Sequence, residues 1–143
     1  MSQPLRVIAY GLGAIGRGAA ELVSKKSSMK LVGAVDLNPE NVGRDFGDVL
    51  GLGRRLGFKV TDKLGKPAAD AVIHCTGSSF AGIQPQLAEI VNAGLHCVTS
   101  CEEAMFPAYR NPKLAAQLDA LCQRKKCAVV GTGVNPGFVM DTL

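Results

Sequence analysis

The sequence predicts an α/β protein: a Rossmann-type doubly wound parallel sheet with helices on both faces. Two observations indicate this class. Short apolar, β-branched runs alternate with amphipathic segments of helical periodicity, and the first run leads directly into a glycine-rich turn. The composition agrees, because 47% of the 143 residues are hydrophobic, 17 are glycine and only 5% are aromatic. A chain of this length buries enough apolar surface to fold without disulfides or metal.

Six strand segments are expected, at residues 5–10, 31–35, 58–61, 69–75, 96–99 and 127–130. Apolar residues at helical spacing predict helices around 15–23, 42–50, 83–91 and 114–122. Right-handed crossovers between the strands give the strand order 3-2-1-4-5-6. We expect residues 1–135 to form a dinucleotide-binding domain. Residues 136–143 begin a further helix, which we expect to lead to a substrate domain absent from this chain.

Charge and cysteine usage exclude several classes of protein. The net charge of +4 is small and scattered, so it does not indicate nucleic acid as a partner. The N-terminus lacks the pattern of a signal peptide, and no apolar run is long enough to span a bilayer. The five cysteines are odd in number and none are spaced as CxxC. We therefore expect a cytoplasmic protein with reduced thiols, no metal site and no membrane contact.

The glycine-rich turn carries the most chemical information. Gly11, Gly13 and Gly16 form a GxGxxG pattern that follows a strand and opens a helix. The first glycine allows the tight turn, the second admits a pyrophosphate close to the backbone, and the third lets the helix pack on the sheet. The intervening amides, including those of Ala14 and Ile15, would face the phosphates at the positive end of the helix dipole. The alternative is a glycine-rich turn without a ligand.

Asp36 ends the second strand, 25 residues after Gly11, where a ribose-binding acid is expected. Its carboxylate would accept hydrogen bonds from both ribose hydroxyls and repel a 2′-phosphate. NAD is therefore favoured over NADP as the cofactor. Arg44 is close enough in sequence to be a partner for a 2′-phosphate, so use of both cofactors stays open. Asp36 as a simple turn cap is the alternative interpretation.

Polar residues follow each of the later strands. Thr76, Gly77 and Ser78 come after the fourth strand and suit phosphate or ribose contacts, although they also suit any turn. Ser100 follows the fifth strand, and Asn135 follows the sixth, near the expected nicotinamide end. We assign all five to the cofactor site.

Two adjacent carboxylates, Glu102 and Glu103, stand beside Ser100 after the fifth strand. They are candidates for general acid–base catalysis or for binding a cationic substrate. The alternative is that they only stabilise the N-terminus of a surface helix. Cys101 as a nucleophile is disfavoured, because no base partner is evident.

Several stretches resemble the N-terminal domain of dihydrodipicolinate reductase-like proteins, and most closely the branch of 2,4-diaminopentanoate dehydrogenases and native amine dehydrogenases. They are the glycine turn through Arg17, residues 42–45 with 51–53, residues 99–103 and residues 131–138. The resemblance implies NAD(P)-dependent, reversible oxidative deamination of an amine, either 2,4-diaminopentanoate-like or simple, to a ketone. It also implies that a glutamate of the Cys-Glu-Glu segment handles the amine. We place that role on Glu102, with Glu103 as second choice.

Three alternatives remain at this point. One is a dihydrodipicolinate reductase-type reduction in lysine biosynthesis, although the His-His and Lys motif of those enzymes does not occur in this chain. Another is a non-catalytic NAD(H)-sensing module, and the third is a different two-domain dehydrogenase. For the amine-oxidising enzyme we expect a homodimer, and we expect residues 1–143 alone to bind cofactor with little turnover.

Overall fold

The computed structural model of the chain describes residues 3–65 and 68–133. The chain divides into two compact units, the first ending at Cys75 and the second beginning at Thr76. The first unit contains β1 (Leu5–Tyr10), α1 (Ala14–Ser24), β2 (Met29–Val35), α2 (Phe46–Leu50) and β3 (Ala71–His74). The second contains α3 (Phe80–Asn92), β4 (His96–Thr99), a 3-10 turn (Glu102–Met105), α4 (Pro112–Lys125) and β5 (Val129–Gly131).

The strands form a five-stranded sheet of order β2-β1-β3-β4-β5. The pairs β1 with β2, β1 with β3, and β4 with β5 are parallel. The sheet confirms the expected Rossmann-type fold class, and its order is the expected one without the third strand. Helix 136–143, expected from the sequence, lies outside the described residues.

The expected third strand, residues 58–61, is the part of the fold prediction that was wrong. Only single bridges remain there: Thr61 pairs in parallel with Val35, and Lys59 pairs antiparallel with Asp45. The physical reason lies in the backbone hydrogen bonds of this segment. The Val60 N–H donates to the Arg44 carbonyl at 2.9 Å, and the Phe58 carbonyl accepts from the Phe46 N–H at 3.0 Å. These bonds join the segment to residues 43–46 on one side. On the side of β2 only Thr61 of this segment is bonded: it donates its N–H to the Ala34 carbonyl at 3.0 Å and accepts the Asp36 N–H at 2.9 Å, so pairing with β2 is limited to a single residue.

In the first unit, β1 lies between β2 and β3 and supplies the centre of the core. Apolar residues from β1, β2, the helices and the connecting segments pack together there: Val7, Ala9, Leu12, Ala20, Val23, Leu31, Ala34, Phe46, Val49 and Val60.

Asp45 is a buried carboxylate in this unit. It accepts N–H groups from Gly47, Leu56 and Gly57 at 2.8 to 2.9 Å. These bonds lower the pKa of Asp45 and close the glycine-rich loop 51–57.

In the second unit, α3 buries one apolar stripe at helical spacing: Phe80, Ile83, Leu87, Ile90 and Val91. The helix ends before Gly94, whose φ of +80° is the left-handed conformation common after a helix C-terminus. Cys97 and Thr99 of β4 are buried. Leu118 is the buried residue of α4.

Within residues 3–65 and 68–133, no helix has both the length and the apolar character that crossing a membrane requires. The same residues contain no cluster of three or more His, Cys, Asp or Glu side chains suited to a metal ion.

The start of α1 is held against the turn that follows β1. Gly11 has a φ of +87°, so the turn needs a residue without a side chain. At Gly16, a Cβ would overlap with the carbonyl oxygen of Gly11. Two of the three glycine roles inferred from the sequence are therefore visible in the backbone itself.

We predict that Gly16→Ala destabilises the protein by roughly 3 kcal/mol or more, because the methyl group cannot enter the turn without moving its backbone. Gly18→Ala is the matched control in the same helix, since a Cβ at Gly18 meets nothing within 4 Å. The control should change stability by less than about 1 kcal/mol, in the stabilising direction. Urea unfolding followed by circular dichroism measures both. Equal stability of the two variants would contradict the packing role of Gly16.

A second prediction concerns acid stability. Asp70 forms an ion pair with Arg6 at 2.7 Å, and hydrogen bonds from Arg6 lower the Asp70 pKa to about 2. Because the folded-state pKa is below the ordinary 3.8, the pair stabilises the protein above that value and stops doing so as pH falls through about 2. Asp70→Asn should lower the urea midpoint at pH 6, with the difference from wild type vanishing near pH 2. Asp62→Asn, on an exposed loop, is the control. A difference that persists undiminished at pH 2 would exclude this ion pair as its origin.

Candidate functional site

The first unit brings the glycine turn and Asp36 together. The Gly11 N–H donates to the carbonyl of Val35 at 2.8 Å, so the turn is bonded to the residue that precedes Asp36. Gly11 and Gly16 are buried, whereas Gly13, Ala14 and Ile15 are exposed. The sequence prediction placed these groups side by side, and the structure does the same.

The N-terminus of α1 has the features of an anion site. A Cβ built on Gly13 meets nothing within 4 Å, so open space lies directly over the backbone there. Gly13 is the N-cap residue, no side chain caps the helix, and the first turn contains no acidic residue. Amide donors and the positive end of the helix dipole therefore face that space. A pyrophosphate fits this position both sterically and electrostatically.

Asp36 is half-buried, and each of its carboxylate oxygens already has one partner. Oδ1 accepts the N–H of Leu37 at 2.8 Å, and Oδ2 accepts the side-chain amide of Asn41 at 2.5 Å. A carboxylate oxygen accepts about two hydrogen bonds, so each has a lone pair left. This is the acceptor pair that two neighbouring ribose hydroxyls require.

Arg17 and Asn41 are part of this arrangement, although the sequence alone predicts no role in the site for either. Arg17 donates to Asn41 Oδ1, and Asn41 in turn donates to Asp36. The position of Arg17 directly after the third glycine was the available signal. Arg44 was expected as an alternative partner for a 2′-phosphate. It is exposed, and its guanidinium donates to the Glu40 carbonyl at 3.3 Å.

The second unit brings Ser78 and the two glutamates together. Residues 76–79 form an exposed loop after β3, and the 3-10 turn Glu102–Met105 follows β4. Ser78 donates a hydrogen bond to the Glu102 carboxylate, and this bond is the largest cause of the lowered Glu102 pKa. Glu102 is exposed and is held as a carboxylate.

Glu103 has a different environment from its neighbour. Its Oε2 accepts the N–H of Phe80 at 2.8 Å, which caps the first turn of α3. Its Oε1 lies 3.2 Å from the Arg110 guanidinium. Both oxygens of Glu103 therefore have protein partners, and the side chain joins the turn to α3.

The remaining predicted residues differ in what surrounds them. Thr76 donates its hydroxyl to Gln86 of α3 at 2.6 Å, Gly77 is exposed beside it, and Ser100 is half-buried at the end of β4. Cys101 is fully buried, and burial raises the pKa of its thiol, which opposes a nucleophilic role. Asn135 lies outside the described residues.

The end of β5 is packed against the turn that carries the glutamates. A Cβ at Gly131 would overlap with the backbone of Ala104, and the Thr132 N–H donates to the Thr99 carbonyl at 2.8 Å. The backbone after β4 and the backbone after β5 are therefore held together within the second unit.

The chain is similar to curated dehydrogenases that act on amines. An alignment of 160 residues, which covers 99% of the chain, shows 30% identity to the 2,4-diaminopentanoate dehydrogenase of Acetoanaerobium sticklandii. The chain is 27% identical, over 150 residues, to an amine dehydrogenase of Streptomyces virginiae. The chain spans 41% and 40% of the lengths of these two relatives.

A solved amine dehydrogenase structure from Mycobacterium smegmatis has the same fold. It superposes with a TM-score of 0.86 at 34% identity and covers 90% of this chain, which in turn covers 39% of that one. Residues 5–101 match the family model described as dihydrodipicolinate reductase, N-terminus. The chain therefore belongs to the dihydrodipicolinate reductase N-terminal family, a family of oxidoreductase domains that use a nicotinamide cofactor.

Proposed function

We propose that this chain is the NAD-binding domain of an enzyme that oxidises a primary amine to a ketone and ammonia, reversibly. The single observation that carries the proposal is the open space over Gly13 at the start of α1, a helix end that no side chain caps. The same turn is hydrogen-bonded through Gly11 to Val35, the residue before Asp36. The diphosphate of the cofactor would be held by the amides at the start of α1. The adenosine ribose hydroxyls would be held by Asp36.

NAD is the favoured form of the cofactor in this proposal. A 2′-phosphate would replace one ribose hydroxyl beside the Asp36 carboxylate, and two like charges would then lie in contact. Arg44 is exposed, and its contact with the Glu40 carbonyl, at 3.3 Å, is long. The first unit thus provides an acceptor pair for ribose, and Arg44 is not anchored as a partner for a phosphate at the same place.

We propose Glu102 as the residue that handles the amine. When bound, the nicotinamide ring supplies hydride transfer. Glu102 would hold the substrate ammonium group and take one of its protons, which frees the nitrogen lone pair before hydride leaves the carbon. It would then be the counter-ion of the iminium group that forms, and water would hydrolyse that group to the ketone and ammonia. Glu102 suits this role because it is exposed and kept ionised by Ser78, whereas both oxygens of Glu103 are already bonded. We assign Glu103 to positioning the turn and no longer to the chemistry.

The surroundings of Glu102 favour an amine with an apolar carbon chain. Residues three apart in a 3-10 helix eclipse each other, so Met105 is on the same side of the turn as Glu102. Met105 and Phe106 are 37% and 70% exposed. They offer an apolar surface beside the carboxylate, which suits a simple alkyl amine better than a substrate that carries a second charged group.

The rest of the enzyme is also part of the proposal. The chain spans about two fifths of its curated relatives, so we propose that a second domain supplies the other wall of the substrate pocket. A homodimer in the cytoplasm remains our prediction for the whole enzyme.

The cofactor site is tested by Gly13→Ala. The backbone of Gly13, with φ of −69° and ψ of −173°, is allowed for alanine, and its Cβ contacts no protein atom within 4 Å. The variant should therefore fold like wild type yet bind NADH at least about tenfold more weakly, because the methyl group occupies the diphosphate position. Calorimetric titration with NADH measures this, with Gly18→Ala as control. Unchanged NADH binding by Gly13→Ala would refute the proposed site.

The amine-handling role is tested by Glu102→Gln in a protein that joins this chain to its substrate domain. We expect kcat/KM for amine oxidation to fall at least about a hundredfold, because the ammonium loses its counter-ion and proton acceptor. NADH binding should be unchanged.

The pH dependence of amine oxidation by Ser78→Ala tests the role of Glu102 independently. Loss of the Ser78 hydrogen bond should raise the Glu102 pKa, so the acidic limb of the kcat/KM profile should move to higher pH. An acidic limb that stays in place, together with full activity of Glu102→Gln, would remove Glu102 from the site.

A further inference from the structure

A chain of hydrogen bonds links the glycine turn to the ribose-binding acid in the first unit. Arg17 Nε donates to the carbonyl of Leu12 at 2.9 Å, and Leu12 is within the glycine turn. Arg17 Nη2 donates to Asn41 Oδ1 at 2.8 Å, and Asn41 Nδ2 donates to Asp36 Oδ2 at 2.5 Å. The guanidinium therefore contacts the turn directly and reaches Asp36 through one amide group.

The orientation of the Asn41 amide is fixed by its two neighbours. A guanidinium only donates hydrogen bonds and a carboxylate only accepts them. The oxygen of Asn41 must therefore face Arg17, and its nitrogen must face Asp36. Asn41 is 2% exposed, so water does not compete for either bond. A flipped amide would place like partial charges together on both sides.

Arg17 is itself held at a third point. Its Nη1 donates to the carbonyl of Val49 in α2 at 2.9 Å. Three bonds in three directions leave the planar guanidinium little freedom to turn. An arginine near the ribose would otherwise be a suitable partner for a 2′-phosphate, but here its charge is directed at two backbone carbonyls and an amide oxygen.

We propose that Asn41 and Arg17 are positioning residues that set the cofactor preference. Asn41 holds the Asp36 carboxylate in the plane that leaves its remaining lone pairs for the two ribose hydroxyls. It also occupies the position between Arg17 and Asp36, so that Arg17 cannot reach a 2′-phosphate. The inference rests on the proposed cofactor site and adds the residues that determine which cofactor it takes.

The test is the ratio of the dissociation constants for NADPH and NADH in Asn41→Ala, measured by calorimetry on this chain. The variant should bind NADH more weakly, because Asp36 is no longer held. It should bind NADPH more tightly, because the Nη2 group of Arg17 loses its partner and becomes available to the phosphate while Nε and Nη1 keep theirs. We expect the NADPH to NADH ratio of dissociation constants to fall by about tenfold or more. Adding Arg17→Gln to Asn41→Ala should abolish the gain in NADPH affinity.

The matched control is Asn38→Ala in the same turn. Asn38 accepts the N–H of Glu40 and has no bond to Asp36, so its loss perturbs the loop alone. Loosening of the loop would weaken both nucleotides equally and leave the ratio unchanged. A ratio in Asn41→Ala equal to that of wild type or of Asn38→Ala would overturn the proposal.

Two further outcomes are distinguishable. If wild type binds neither nucleotide, the proposed cofactor site fails, and the inference fails with it. If Asn41→Ala does not fold by circular dichroism, Arg17→Lys takes its place, because lysine keeps the charge and cannot make the three fixed bonds. Its ratio should also fall, and an unchanged ratio would overturn the positioning role.

Discussion

The close approach of α1 to the turn after β1 is the constraint on which the rest of the first unit depends. With no side chain at Gly16, the helix begins against the carbonyl of Gly11, and the Gly11 N–H is then free to bond Val35 at the end of β2. A bulkier residue would move the helix away from the strands. The helix N-terminus would no longer face the space over Gly13, and Arg17 would lose its contact with Leu12. The proposed diphosphate site, the placement of Asp36 and the hydrogen bonds of Arg17 therefore all depend on the absence of a side chain at Gly16.

The two adjacent glutamates illustrate how neighbours in sequence acquire different roles. Both carboxylate oxygens of Glu103 are bonded, one to the N–H of Phe80 and the other to Arg110. Glu102 is exposed and has the Ser78 hydroxyl as its partner. Within the second unit, the two carboxylates thus bind the loop after β3, at Ser78, and the first residue of α3, Phe80. The bonded glutamate holds the turn in place, and this keeps the exposed one in a defined position. A helix dipole favours acids near its N-terminus, and here that acid is supplied from another segment of the chain.

Much of the fold could be predicted from the sequence, because the spacing of apolar residues and the residue types that form turns are local properties of the chain. The expected strands 5–10 and 96–99 have the same bounds in β1 and β4, and the glycine turn lies where it was expected. Residues 58–61 were misjudged because apolar, β-branched content indicates a strand without saying which backbone will pair with it. In the folded chain the segment bonds mainly to residues 43–46 and pairs with β2 only at Thr61. The bonds of Arg17 and Asn41, 24 residues apart, depend on the tertiary fold and could not be predicted from either residue alone.

Gly131 lies at the end of an edge strand, where sheet geometry alone would tolerate almost any small or β-branched residue. Its neighbour is the backbone of Ala104, in the turn that bears Glu102 and Glu103. The turn nearly thirty positions earlier thus limits which residue this strand end can have. We expect the sequences of the two segments to change together in evolution. In a set of related proteins, a side chain at the position of Gly131 would therefore indicate a turn of different dimensions, and with it a different placement of the carboxylate proposed to handle the amine.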